Sequence, residues 1–497
     1  MVDPITYKRY KHIRNMYRRT SLEEILYFGW EYNNYLTMGR PLPADIPYIP
    51  GNSLPGNHLS NWRFLAPWDI DKFLQLGLRH GSRSNSFKSL KEGNRFVKII
   101  NLEKSFENQL IKIYKPEINQ YLIQIAIKQF PYEERIHIDA FVRYFVLYQC
   151  ISEDIEKIYG LSLEKIYRIG IVLVWNYYYK HKLSIQDYKL NMDGITRDDI
   201  DKFITIFSTS DRALQSKIEE YEEVDSTYNM RMNPLMYWPL VKLGNYLYCP
   251  STFFLLERLT FGLKQDFNSQ KGITEKLGKA LENYILEYTQ KVNISGKVQV
   301  YGEEEITIGK NTVKTIDVSV IDENMHLFIE VKHRDWVTRY VRENNEGYKE
   351  LVSSITNVLT QAYKSLSLYR SDLYPSVSYK PDIPKILFVV GQSDIYILPP
   401  KIKTLVDESL RVQLEDNNID IKILKEIPYA LCNISIWEYI SQLIAQDGLE
   451  KVMTTYINKA SLPIIAPHVE EDKTLIPIEK VWDIKGGLIK ALIKAKT

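Results

Sequence analysis

Over about the first 230 residues, apolar positions recur every three or four residues, the spacing that turns one face of a helix toward a core. TSLEEILYFGWEYNNYL, residues 20–36, opens on Thr-Ser followed by glutamates, the start signal of a helix. WDIDKFLQLGL, HIDAFVRYFVLYQCI and SLEKIYRIGIVLVWNYYYKHKL keep the same period. Between the first helices, GRPLPADIPYIPGNSLPGN is rich in Pro and Gly and predicts loop. At 238–250, WPLVKLGNYLYCP has two apolar runs around Gly244-Asn245, which predicts a small hairpin at a domain junction.

Beyond residue 268 the pattern changes. KGITEKLGKALENYILEYTQK predicts an amphipathic helix over 271–291. Three β-like runs follow: KVQVYG, TVKTIDVSVID and HLFIEVK. NEGYKELVSSITNVLTQAYKSLSLYR then predicts a long helix, PKILFVVG a buried strand, and IDIKIL a smaller one. ISIWEYISQLIAQDGLEKVMTTYI returns to helix. The chain is thus read as multidomain, α plus α/β. A mostly helical domain spans 1–235, a hairpin junction 236–267, an α-β-β-β-α-β core 268–430 and a helical extension 431–497.

A chain of 497 residues exceeds one hydrophobic core, in keeping with several domains. No apolar run reaches the roughly 20 residues that span a bilayer, and MVDPITYKRYKHIRNMYRRT is too charged for a signal peptide, so a cytoplasmic protein with no membrane partner is expected. Cys150, Cys249 and Cys432 form no CxxC pair, and no HExxH occurs, which removes the commonest zinc patterns. There is no Walker A loop, dinucleotide glycine motif or serine-hydrolase elbow. Net charge is only +2, but residues 1–100 carry a surplus of seven basic side chains and the remainder a deficit of five.

Charge inside the second and third β runs raises the chemical question. Asp317 opens one, Glu330 and Lys332 close the next, and the turn residues 322–324 lie between. Folded about that turn, an antiparallel pair sets Asp317 roughly opposite Glu330, while Glu330 and Lys332, two apart, share a face. Opposed carboxylates repel, and a hard divalent cation with oxygen ligands relieves that repulsion. The other reading is a strand-edge carboxylate in water, or one paired with Lys332.

Asp317, twelve residues, then Glu330-Val331-Lys332 resembles the signature of the PD-(D/E)XK nuclease superfamily, the restriction-endonuclease-like fold, over about residues 268–425. The tripeptide alone is weak, because Asp187-Tyr188-Lys189, Asp420-Ile421-Lys422, Glu471-Asp472-Lys473 and Asp483-Ile484-Lys485 have the same form. The order helix, three-strand meander, helix, strand is what carries the resemblance. It implies a nuclease, with Asp317, Glu330 and the Val331 carbonyl binding Mg²⁺ or Mn²⁺, and Glu282 joining directly or through water. It implies that Lys332 positions and activates the attacking water. Gln361 matches a glutamine found on the following helix in many members, where it would orient Lys332 or the phosphate, although Ser365 replaces the tyrosine of the usual QxxxY pattern. The implied substrate is DNA, with RNA as the variant reading. The implied setting is restriction or phage defence, with a homo-oligomer or a partner protein regulating cleavage. A non-cleaving nucleic-acid or protein scaffold of the same fold is the rival.

Outside the motif, RHGSRSNSFKSLKEGNRFVK, residues 79–98, is basic and carries Phe87 and Phe96. Arg83, Lys88 and Arg95 could grip a phosphate backbone, or the stretch could be a solvated loop. Arg334, next to the motif, is open to the same two readings. The basic segment with Lys8, Arg9, Lys11, Arg14, Arg18 and Arg19 invites the same comparison.

Overall fold

Helices Leu22–Met38 and Pro67–His80 cross where glycine removes the side chain that would keep them apart. A Cβ at Gly29 would lie 2.3 Å from Leu74 Cδ2, and one at Gly77 would lie 2.3 Å from Ile25 Cγ2. Around this crossing, helices Pro4–Tyr17 and Arg95–Tyr114 complete a core of Tyr17, Leu26, Phe28, Phe73, Phe96 and Ile99. The computed structural model describes residues 4–49, 65–84, 88–114, 138–185, 192–219, 233–267, 270–333, 347–392, 400–459 and 475–482. The described residues up to Phe267 form one compact unit and those from Gln270 a second.

The first unit is largely helical, as its periodicity predicts, with further helices at Ile138–Tyr148, Leu163–Tyr179 and Arg197–Phe207. The hairpin about Gly244-Asn245 is present, Gly244 taking the left-handed turn conformation at φ 58°. It is not a junction. Its strands, Leu240–Leu243 and Tyr246–Tyr248, are the middle of a four-stranded sheet whose edges are Ser208–Ser210 and Lys182–Ser184. Three-residue strands leave no readable alternation, so the sequence pattern missed both edges.

In the second unit we label α1 (Lys271–Val292), β1 (Gln299–Gly302), β2 (Glu305–Ile308), β3 (Asn311–Lys314), β4 (Val318–Ile321) and β5 (His326–Lys332). Then come α2 (Gly347–Arg370), β6 (Lys385–Gly391), α3 (Pro400–Asp416), α4 (Ile423–Glu426), β7 (Tyr429–Asn433) and α5 (Ile434–Asp447). The sheet runs β7-β6-β5-β4-β1. Strands β1, β4 and β5 form an antiparallel meander, and β6 and β7 add on parallel to β5. Phe328, Leu387 and Val389 pack beneath α2 and α3 with Ile355, Leu359 and Val406. On α1 and α5, Trp437 donates to Thr289 at 3.0 Å and Tyr284 to Glu438 at 2.6 Å.

Three expectations change. TVKTIDVSVID is not one strand. It breaks at Thr315–Asp317, and its first part pairs with β2 in a separate hairpin turned at Gly309. IDIKIL is not a strand, because Asp420 Oδ1 accepts the Lys422 amide at 3.0 Å and starts the turn into α4; the strand is β7 instead. The helical extension read over 431–497 begins inside the sheet, since β7 is one of its strands and Trp437 of α5 packs on Phe388 of β6. Among the described residues no helix is long and apolar enough to cross a membrane.

Candidate functional site

The β4–β5 register pairs Val318 with Ile329, so one step further Asp317 faces Glu330. Asp322 fixes that register by closing the turn, its Oδ1 accepting the Asn324 and Met325 amides at 2.9 and 2.7 Å. At the Asp317 end the ladder stops, and side chains take over its hydrogen bonds. Val331 N–H donates to Asp317 Oδ2 at 2.7 Å, and Ile316 N–H donates to the Tyr374 hydroxyl oxygen at 3.0 Å. A strand residue's N–H and C=O leave on the same side, so the Val331 carbonyl projects toward Asp317 as well. On the other side of the strand, the Lys332 carbonyl accepts the Gln392 amide at 3.3 Å.

Glu330 is buried and Asp317 half-buried. Burial pushes the Asp317 carboxyl up to about 8, and the Glu330 charge adds to the rise, against the Val331 amide and Lys332. Burial also raises Glu330, with Lys332 opposing and Glu282 and Glu303 reinforcing. Lys332 Nζ lies 2.5 Å from Glu330 Oε1 and is the near counter-charge of that carboxylate.

Glu282 on α1 is half-buried and ion-paired to Lys279 at 2.9 Å, close enough for its charge to raise both Asp317 and Glu330. Two further members have no place in the motif. Glu303 follows β1 directly, one residue past the Gly302–Val318 pair, and meets Lys314 at 2.8 Å and Lys279 at 3.7 Å. It is one of three consecutive glutamates, and pattern alone could not separate it from Glu304, which accepts from Ser376, or from exposed Glu305. Tyr374, in the loop after α2, is buried against Phe328 and Tyr369 and feels the Asp317 and Glu330 charges.

Gln361 is exposed on α2. It stands one turn before Ser365, whose hydroxyl donates to the Lys314 carbonyl, so it shares the stripe that looks toward β3. No hydrogen bond joins it to Lys332. The expected phosphate grip at 79–98 is redirected. Arg83 bonds Asp211 at 2.5 Å and the Leu78 and Gly81 carbonyls, while Arg95 bonds Thr20 and the Met16 carbonyl. Phe96 is fully buried, stacked 4.4 Å from Tyr32. Arg95 and Phe96 turn into their own unit because an amphipathic helix, not a loop, starts at Arg95. Lys88 and Arg83 are exposed, and Arg95 is half-buried. Arg334, Phe87 and the look-alikes at 187–189, 471–473 and 483–485 lie outside the described residues.

Among the described residues, no three carboxylate, imidazole or thiol side chains already converge as a ligand set. The lysines explain the spacing: Glu282 and Glu303 are turned to Lys279 and Lys314, and Glu330 to Lys332. The donor chemistry still suits a hard divalent cation. A buried carboxylate and a half-buried one face each other, and a main-chain carbonyl projects to the same side. Comparison with protein-family models, curated proteins and solved structures gives no match.

Proposed function

We propose that this chain hydrolyses phosphodiester bonds in nucleic acid, DNA first, at a divalent-cation site built on Asp317 and Glu330. The observation that carries the reading is the mutually repelling pair of buried Glu330 and half-buried Asp317 across the β4–β5 hairpin end, with the Lys332 ammonium beside it. The helix–meander–helix–strand order around it supports a restriction-endonuclease-like core.

Asp317, Glu330 and the Val331 carbonyl would hold Mg²⁺ or Mn²⁺, with Glu282 within electrostatic reach. The cation supplies charge stabilisation on the phosphate oxygens. The chain's own groups do the rest. Lys332, on the face it shares with Glu330, orients the attacking water and offers an N–H to a phosphate oxygen. Water oxygen bonds to phosphorus, the opposite P–O ester bond breaks, the leaving alkoxide takes a proton, and the water's proton passes to solvent. Tyr374 and the Asp317–Val331 bond hold the end of the sheet open.

The test is incubation of the whole chain with plasmid, linear duplex, single strands and RNA, with Mg²⁺, Mn²⁺ or chelator, repeated with Lys332→Ala. Cation-dependent cleavage that Lys332→Ala removes supports the reading, and the preferred substrate separates DNA from RNA. Cleavage by Lys332→Ala at the full rate contradicts the site. Binding without cleavage under every condition makes the chain a scaffold.

A further inference from the structure

Helix Pro4–Tyr17 and the two residues after it hold Lys8, Arg9, Lys11, Arg14, Arg18 and Arg19, with no Asp or Glu from Pro4 to Leu22. The helix's apolar stripe is already used. Tyr10 packs on His80 and Phe106, Ile13 is buried, and Tyr17 meets Phe73 and Glu103. Lys8, Arg9, Lys11, Arg18 and Arg19 stand exposed on the remaining surface. Among the described residues none of Lys8, Lys11, Arg14, Arg18 and Arg19 has a carboxylate in ion-pair range, and Arg9 meets the neutral Gln109 amide at 2.5 Å. The neighbouring acids point inward. Glu103 accepts from Tyr17, Glu24 from Ser89 and the Leu90 amide, and Asp69 binds Lys104 and the Ala66 amide.

The positive charges also crowd one another. Burial holds His80 down at about 3, and Arg79, Arg18 and Arg14 press the same way. Burial and then Arg19 lower Arg95. Arg14 Nε is shut off from solvent with no acceptor. Uncompensated like charge destabilises a chain alone and is relieved by a polyanion.

We propose that Lys8, Lys11, Arg18 and Arg19 form a binding surface for the phosphate backbone of duplex nucleic acid. Lys8 to Arg18 covers about 15 Å along a helix. Over that length one strand of B-DNA presents about four phosphates. An anionic membrane fits less well, because an interfacial helix binds by inserting its apolar face, and here that face is inside the unit's own core. The surface does not depend on cleavage and can stand or fall apart from it.

The test is fluorescence anisotropy of the full chain on a labelled 20-base-pair duplex in chelator, across a salt series. Lys8→Ala/Lys11→Ala/Arg18→Ala/Arg19→Ala is expected to weaken binding at least about tenfold and to flatten the slope of log Kd against log salt by about three. Each pair of substitutions alone is expected to give about half of that change, which covers a misfolded quadruple variant. Lys310→Ala/Lys422→Ala/Lys425→Ala, on exposed lysines elsewhere, is expected to leave the slope unchanged. An unchanged slope in the quadruple variant, an equal loss in the control, or binding to phosphatidylserine vesicles but not duplex each overturns the surface. Binding with the expected slope but no cleavage in any cation overturns only the hydrolysis.

Discussion

Asp317 Oδ2 holds the amide of Val331, the residue between Glu330 and Lys332, at 2.7 Å. One side chain thereby ends the β4–β5 ladder, fixes the strand that carries the other two charged groups, and faces the carboxylate it repels. The consequences of that arrangement can each be measured.

The first is a pH dependence of stability. The Asp317 carboxyl rises from an ordinary 3.8 to about 8 on folding. Between those values the folded chain keeps a proton that the unfolded chain has lost, so this stabilising contribution is full at low pH and is lost as pH rises toward about 8. Urea unfolding of the cation-free protein at about pH 5 and pH 8 is expected to show a smaller fall for Asp317→Asn than for the wild type. Equal falls would show that Asp317 is not the group concerned.

Lys332 is the near counter-charge of a buried carboxylate. Lys332→Met strands Glu330 and is expected to destabilise the chain by about 3 kcal/mol. Adding Glu330→Gln is expected to restore most of that loss. Urea midpoints decide, and additive losses in the double variant would mean that the two side chains do not act as a pair.

Tyr374→Phe removes the acceptor of the Ile316 amide and leaves a buried donor unsatisfied, a cost of about 1–2 kcal/mol. It is also expected to weaken Mn²⁺ binding by letting the strand end close. Tyr379→Phe removes a hydroxyl that meets Glu426 instead and is expected to leave Mn²⁺ affinity unchanged. Calorimetric titration of both variants makes the comparison, and identical Mn²⁺ affinities would limit Tyr374 to stability.

Lys279 sits between Glu282 and Glu303 and also feels Asp317. Its ammonium competes with any cation for the same carboxylates. Lys279→Ala is expected to lower the Mg²⁺ concentration giving half-maximal cleavage several-fold. A higher requirement would mean that the lysine assists the site.

Much of this was legible in the chain, for identifiable reasons. The turn that Asp322 closes sets the register that opposes Asp317 and Glu330. The long helix α2 and the buried strand β6 declared themselves by period and by continuous hydrophobicity. What stayed hidden depends on tertiary contact. Glu303 is one of three adjacent glutamates, and only β1–β4 pairing singles it out. Tyr374 lies in an aperiodic loop, and its role comes from meeting Ile316 across 58 residues. Arg83 and Arg95 read as free cations because their partners, Asp211 and the Met16 carbonyl, are distant in sequence.

The most direct measurement is the nicking rate of supercoiled plasmid by wild type and Asp317→Asn side by side in Mn²⁺, with a chelator control. The asparagine keeps an oxygen for the Val331 amide and loses only the charge. The expected result is chelator-sensitive nicking by the wild type and a rate at least about 10³-fold lower in the variant. Nicking by Asp317→Asn at the wild-type rate, or none by the wild type on any nucleic acid, would contradict it.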